Sequence, residues 1–364
     1  MDSFADRQLT LDEQTDLIER WERFYNREKD FVDTLKTDWT AFYKLKRLFR
    51  EALPYERKWE SNIVAPIAPM VIYTAIPILA AAFLNPIKSF VRVKPQNVRD
   101  AQDVQMAEVT EQVAAAQFRE MKYARTMVTS LDESATYGTT FQKVIWKRSV
   151  KQLKRRSNIQ VPLLGQIYNL RAGIERKEIV TEGPSVEPID LFNFFPTHDA
   201  YYCDWMNEYC HTAYVDERYL RERFETGDFE MVTGEELDFE TLEDFSQNDE
   251  GSRQRQADIG RGESSMTSDT EGKRFEIAEW CIDGAFVFIL NRKYIIRQIE
   301  IEPFYGGGHN IIHYPFLPQP GELYGVGLCE LLYDLACNIT WLHNMRNNWI
   351  NMQLRSPLIA RAGA

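Results

Sequence analysis

The sequence predicts an α+β fold with long helices towards both ends and a strand-rich section between them. Apolar and aromatic residues recur at helical spacing from Trp21 to Phe49, again within 99–135, and again from Leu328 to Met352. Between them, residues 137–315 run in short alternating stretches broken by glycine and Asp-Gly turns. No internal repeat is visible.

The elements follow in order. Thr10 and Glu13 have capping-box spacing. The aromatic repeats of "WERFYNREKDFVDTLKTDWTAFYKLKRLFR" then predict one or two amphipathic helices over 10–60. The uncharged run "IVAPIAPMVIYTAIPILAAAFL", Ile63 to Leu84, is long enough for a bilayer. Pro66, Pro69 and Pro77 argue against that, because each removes a helical donor that hydrocarbon cannot replace. A buried element of a large assembly is the preferred reading. A membrane anchor over 63–84, carrying a cytosolic mixed domain, is the alternative.

Ser89 to Asn97 alternates like a short strand, and 99–135 reads as one long helix. "YGTTFQKVIWKRSV", from Tyr137, reads as a strand entered through a glycine turn, and the basic "KQLKRRS" after it as a solvated loop. Residues 178–216 alternate short strands and turns, and Val215 to Phe229 forms a compact helix stopping at Gly227. Ser246 to Lys273 has almost nothing apolar and is predicted to be a mobile loop. A strand meander with a turn at Asp283-Gly284 restarts order. The loop "PGELYGVG" then opens a helix over Gly327 to Leu354. One side of this helix carries Leu328, Leu332, Leu335, Ile339, Leu342, Met345, Trp349 and Met352. The other carries Asn338, Asn344, Asn347, Asn348 and Asn351, although asparagine is a poor helix former.

The composition of the 364 residues, 44% hydrophobic and 13% aromatic, excludes a disordered chain and allows two or three domains. A net charge of −12 argues against tight, non-specific gripping of duplex DNA by the chain as a whole, though not against DNA passing beside it. Five cysteines without a CxxC pair predict reduced thiols in a cytosolic compartment. The opening "MDSFADRQLTLDEQ" is acidic and polar, unlike a secretory leader.

The chain has no GxxxxGK[ST] loop, nucleophile elbow or Ser/His/Asp order. The glycines at 306–308 and Gly325 to Gly327 lack a dinucleotide-binding setting. His309 and His313 are four apart in strand-like sequence, out of register for one metal, and Glu235-Glu236 lies in solvated sequence. No catalytic, metal or cofactor-binding residue is predicted, which favours a structural or interaction protein over an enzyme.

The order of these features resembles the portal proteins of tailed bacteriophages, in particular the podophage-type group. The resemblance runs from about Trp21 to the end. It rests on the aromatic opening with "WESNIVAPIAPMVIYTAIPILAAAFLNPIKSFVRVKP", on "ESATYGTTFQKVIWKR", and on "VTEGPSVEPIDLFNFFPTHDAYYCDWMNEYCHTAYVDERYLRERFETGDF". It also rests on "EIAEWCIDGAFVFILNRKYI" and, most specifically, on "PGELYGVGLCELLYDLACNITWLHNMRNNWINMQLRSPLI". The chain departs from the family pattern at Ala336 and Cys337, where members usually carry glutamine. Family members also continue past this point into a clip, a second stem helix and often a crown.

The resemblance implies a wing domain over 1–325, with helices over 10–135, β-rich sequence over 137–315 and the mobile loop at 246–273. It implies a first stem helix over 326–355 and the start of the clip over 356–364. Leu335, Ile339, Leu342 and Trp349 would pack against neighbouring stem helices. Asn344, Asn347, Asn351 and Arg355 would face the channel or a neighbour, since amides hydrogen-bond without gripping phosphates as Lys or Arg does. Tyr324, Gly325 and Gly327 would shape the loop entering the stem, the glycines by supplying positive φ. Functionally, the resemblance implies a dodecameric ring at one capsid vertex, assembled in the host cytoplasm and retained in the virion. Its partners would be further copies of itself, the large terminase subunit, a head-to-tail adaptor, the major capsid and scaffolding proteins, and double-stranded DNA in the channel.

Overall fold

The computed structural model describes residues 11–84, 91–95, 97–163, 166–200, 206, 208–227, 229–231, 239, 242–245, 273–282, 285–301 and 310–354. The predicted mobile loop (apart from Lys273), the Asp283-Gly284 turn, His309, Arg355 and the segment 356–364 lie outside the described residues. The fold is α+β, as the sequence predicts. It divides into one unit of residues 1–85, 127–143 and 188–364 and a second of 86–126 and 144–187.

In the first unit, α1 (Leu11–Lys46) is a single helix of 36 residues, about 54 Å long at 1.5 Å per residue. Asp12 and Glu13 in its first turn and Lys44 and Lys46 in its last complement the helix dipole. Trp21, Phe24, Tyr25, Val32, Trp39, Phe42 and Leu45 are all buried, so its aromatic repeats face the core. The helix does not continue to residue 60. Leu48 takes a left-handed φ of 55°, and Phe49 N–H reaches back to Lys44 O at 2.9 Å. Such an ending usually recruits glycine, so the sequence does not announce it.

The core of this unit is an antiparallel five-stranded sheet in the order β3 (Phe194–Pro196), β4 (Glu208–Asp216), β5 (Arg274–Ile282), β6 (Ala285–Leu290), β7 (Tyr294–Ile301). β5 is buried along almost its whole length because both faces are covered. On one face, α1 packs Phe24 near Trp280, sets Tyr25 edge-on to Phe195, and donates from Trp21 Nε1 to Cys210 Sγ at 3.4 Å. On the other, Phe275, Ile277, Leu290 and Ile296 cluster with Leu220 of α5 (Glu217–Glu225), whose chain turns away through Gly227 at φ 75°.

α2 (Ile67–Phe83) is a helix despite its three prolines. Pro66 is the N-cap and Pro69 lies in the first turn, where N–H groups have no helical acceptor anyway. Only Pro77 removes a hydrogen bond, which corrects the expectation that all three do so. α2 packs against α1 and against α6 (Leu328–Leu354). Among the described residues no helix is long and apolar enough to cross a membrane.

The second unit holds α3 (Ala101–Glu120), capped by Asp100, whose Oδ1 accepts from Gln102 N–H at 2.9 Å. The predicted single helix over 99–135 is two: Lys122, at φ 54°, separates α3 from α4 (Tyr123–Tyr137). Val91 to Pro95, within the predicted strand at 89–97, have no regular structure. β1 (Thr139–Leu163) and β2 (Gln166–Ile189) form a long hairpin, so the basic "KQLKRRS" lies in a strand and not in a loop. In the first unit, the start of β1 pairs antiparallel with β8 (Ile311–Pro315) from Thr139↔Pro315 to Lys143↔Ile311.

Candidate functional site

Three glycines build the entrance to α6. Gly138, at φ 91°, sits so close to Gly325 that a Cβ on it would lie 1.9 Å from Gly325 O. A Cβ on Gly325 would lie 2.8 Å from Leu317 O, and one on Gly327 would lie 2.7 Å from Gly138 N. Phe316 N–H donates to Gly138 O at 2.8 Å and Gly325 N–H to Thr139 Oγ1 at 2.7 Å. The predicted role of Gly325 and Gly327 in shaping this loop therefore has a different physical cause from the expected one. They permit three backbones to meet, and the positive φ values nearby belong to Gly138 at 91° and Gly321 at 84°.

Tyr324 seats its ring between Trp39, Phe31 and Phe141, with centroid distances of 5.7, 6.4 and 6.3 Å. Its hydroxyl is buried with no hydrogen-bond partner among the described residues. Burial, reinforced by the Glu28 carboxylate, pushes it well above the usual phenol range. It stays a neutral packing group. Nearby, Cys329 donates from Sγ to Phe42 O at 3.8 Å, and burial pushes the thiol up to about 12, so it is chemically quiet.

The two sides of α6 then divide in an unexpected way. Its inward face is small and polar: Cys329, Ala336, Thr340 and Asn344 are the buried positions. Thr340, Asn344 and Asn348 recur one helical turn apart and pin the extended segment 61–65. Asn344 Oδ1 accepts from Ile63 N–H at 2.9 Å and from Ser61 Oγ at 2.8 Å, while its Nδ2 donates to Ile63 O at 2.8 Å. Asn348 Oδ1 accepts from Ser61 N–H at 2.5 Å, Thr340 Oγ1 from Ala65 N–H at 3.1 Å, and Asn347 Nδ2 donates to Ser61 Oγ at 3.2 Å. The amides thus supply hydrogen bonds that a neighbouring strand would otherwise give to the chain leading into α2.

Asn344, expected to face the channel or a neighbour, is instead buried and hydrogen-bonded within its own chain. Asn347 is half-buried beside it. Asn351 is exposed and lines, with Ser61, Asn62, Ile63, Asn347 and Ile350, an open groove of about 410 Å³. Thr340 and Ser61 were missed, and Asn348 was noted on the amide flank but given no role; the four-residue spacing of Thr340, Asn344 and Asn348 was the available signal.

The outward face is apolar. Leu328 and Leu332 still touch the core, but Leu331, Leu335, Leu342, Met345 and Trp349 are exposed, at 57, 52, 57, 54 and 60%. Ile339 flanks them at 37%. At 100° per residue, implied by 3.6 residues per turn, this stripe lies opposite the Ala336–Thr340–Asn344 face. α2 repeats the pattern: Ala68, Ile72 and Ile76 are buried, while Met70, Tyr73, Ile78 and Phe83 are exposed. Among the described residues there is no cluster of three metal-ligating side chains. The four described cysteines, Cys210, Cys281, Cys329 and Cys337, are in no disulfide.

No protein-family model and no curated protein matches the chain.

Proposed function

We propose that this protein is a subunit of a phage portal, a closed ring at one capsid vertex through which double-stranded DNA enters and leaves. The observation that supports this best is the inverted helix α6. Its small polar side is satisfied within the chain, and its large apolar side, Leu331, Leu335, Leu342, Met345 and Trp349, is left more than half exposed among the described residues. Large exposed apolar faces mark interaction surfaces. Burying the exposed half of each such side chain contributes about 1 kcal/mol per residue. A ring of like subunits needs one face that matches a different face of the neighbour, and the exposed side of α2 is a second apolar surface available for that.

In this reading Leu335, Ile339, Leu342 and Trp349 pack between stem helices, and Asn351 and Arg355 are left for the channel or the neighbour. The ring docks the large terminase subunit during packaging and a head-to-tail adaptor afterwards. It assembles in the host cytoplasm with the major capsid and scaffolding proteins, remains in the virion and carries no covalent chemistry. The test is Leu342→Glu with Trp349→Glu. Both side chains are exposed in the subunit, so the double variant keeps its fold by circular dichroism while light scattering shows rings replaced by monomers. A variant that assembles as well as the parent refutes the proposal, and so does co-flotation of the parent with liposomes.

A further inference from the structure

We infer that the outward stripe of α6 in one copy docks on the outward face of α2 in the next copy. The inference deepens the portal reading and rests on it: the neighbour's stem helix is met through the α2 packed beside it. Each of the two helices has one buried and one exposed face. They pack against each other, and Ala68, Ile72 and Ile76 of α2 share a core cluster with Cys329 and Ala336 of α6. Helices that turn their buried faces to one another point their exposed faces apart. The α2–α6 pair therefore offers two apolar surfaces on opposite sides, which a head-to-tail contact between identical subunits requires.

The two surfaces match in shape. On α6 the exposed line Leu331, Leu335, Asn338, Leu342, Met345 and Trp349 advances by alternate steps of four and three residues, the spacing of a seam between helices packed lengthwise. On α2 the exposed line Met70, Thr74, Pro77 and Ala81 advances in the same steps. Lines of this kind interlock when the ridge of one helix fills the groove of another. α6 supplies the large side chains. α2 supplies small ones at Thr74 and Ala81, flanked by Tyr73 and Ile78, which are more than half exposed. The lengths agree, at about 26 Å for α2 and about 27 Å for Leu331 to Trp349, from 1.5 Å per residue. Trp341 and Met352 extend the α6 surface. At roughly 100 Å² for each half-exposed large side chain, it approaches the roughly 800 Å² per partner of a specific interface.

Charge and direction select the occupant. α2 has no charged residue and the α6 line has none, so neither surface suits a nucleic acid, whose phosphates need cations. A bilayer surface, or one unrelated protein docked on one side, covers one of two faces that point apart and leaves the other in water. Copy docked upon copy covers both with a single repeated contact.

The test uses two variants of the full chain, each blind on one side. Leu342→Glu with Trp349→Glu disables the α6 surface, and Met70→Glu with Ile78→Glu disables the α2 surface. All four side chains are more than half exposed, so circular dichroism should match the parent. If the second pair disturbs the fold, Met70→Lys with Ile78→Lys takes its place, since lysine keeps its stem on apolar surface and its charge in water. Sedimentation velocity is run on the parent, on each variant alone and on an equal mixture of the two. Each variant alone should sediment as a single 42.6 kDa chain. The mixture should give pairs and nothing larger, because one chain retains a working α6 surface and the other a working α2 surface. The inference is overturned if the Met70/Ile78 variant alone assembles as the parent does, which would pair α6 with something other than α2. It is also overturned if the folded variants, mixed, stay single or grow beyond pairs. In these cases a parent that still forms rings leaves the portal reading standing, whereas a parent that stays a single chain overturns both.

Discussion

Asn344→Ala is the sharpest perturbation of the amide clamp. The side chain is 6% exposed and makes three hydrogen bonds to Ser61 and Ile63. Truncation leaves the Ile63 N–H and C=O without their partners. Each lost bond costs about 1 kcal/mol net, and more where water cannot enter, giving a local loss of about 3 kcal/mol. By the tenfold-per-1.4 kcal/mol relation, the exchange rate of the Ile63 amide should rise about 10²-fold. Native-state hydrogen exchange is the right assay, because it reads local opening whether or not the subunits assemble. Protection at Ile63 should fall by that factor and at Ala65, held by Thr340, by less, with the interior amides of α6 unchanged. Asn351→Ala, at an exposed position, should change exchange at 61–65 by less than about twofold. If Ile63 exchanges at the parental rate in Asn344→Ala, the clamp is a geometric coincidence and the account of the amide flank is wrong.

Other outcomes follow from the same structure. Gly138→Ala should not fold, because its Cβ would lie 1.9 Å from Gly325 O, whereas Gly227→Ala has the same left-handed strain in open space and should cost only about 1 kcal/mol by chemical denaturation. His211 and His313 are both held near a pKa of about 4 by burial, below their ordinary 6.5. Folding therefore favours their neutral forms. That stability is complete above pH 6.5 and is lost as pH falls towards 4, at up to about 1.4 kcal/mol per pH unit for each histidine. A His211→Asn, His313→Phe variant should show a flatter stability profile over this window. Glu28 is fully buried and accepts from His198 N–H at 2.9 Å and Arg27 Nε at 2.8 Å, so Glu28→Leu strands the His198 N–H and should lower stability, read from the denaturation midpoint, by about 1–3 kcal/mol.

What the sequence disclosed depended on whether the deciding contact was local. The aromatic repeats of α1 and the alternation of β5 and β6 were legible because a helix or strand face writes its period into the chain. The end of α1 at Leu48 and the break at Lys122 were not, since both put a non-glycine residue at positive φ, held by surrounding structure. "KQLKRRS" read as a loop because its charge hides any alternation. The amides of α6 were visible as an anomaly. Their partner, however, lies in residues 61–65, far away in sequence, and nothing local tells an amide facing a channel from one bonded to its own chain. For Gly325 and Gly327 the residue type was informative and the assumed reason was not, because close backbone approach leaves the same glycine signature as a left-handed turn.

The central claim is that the outward stripe of α6 is covered by neighbouring copies. Sedimentation velocity of the intact chain with negative-stain imaging of the same sample tests it most directly. The account predicts closed rings with a central hole, and a mass of about 510 kDa for twelve copies of a 42.6 kDa subunit. A well-folded species of 42.6 kDa at every concentration, with Leu342 and Trp349 still accessible to solvent, would contradict it.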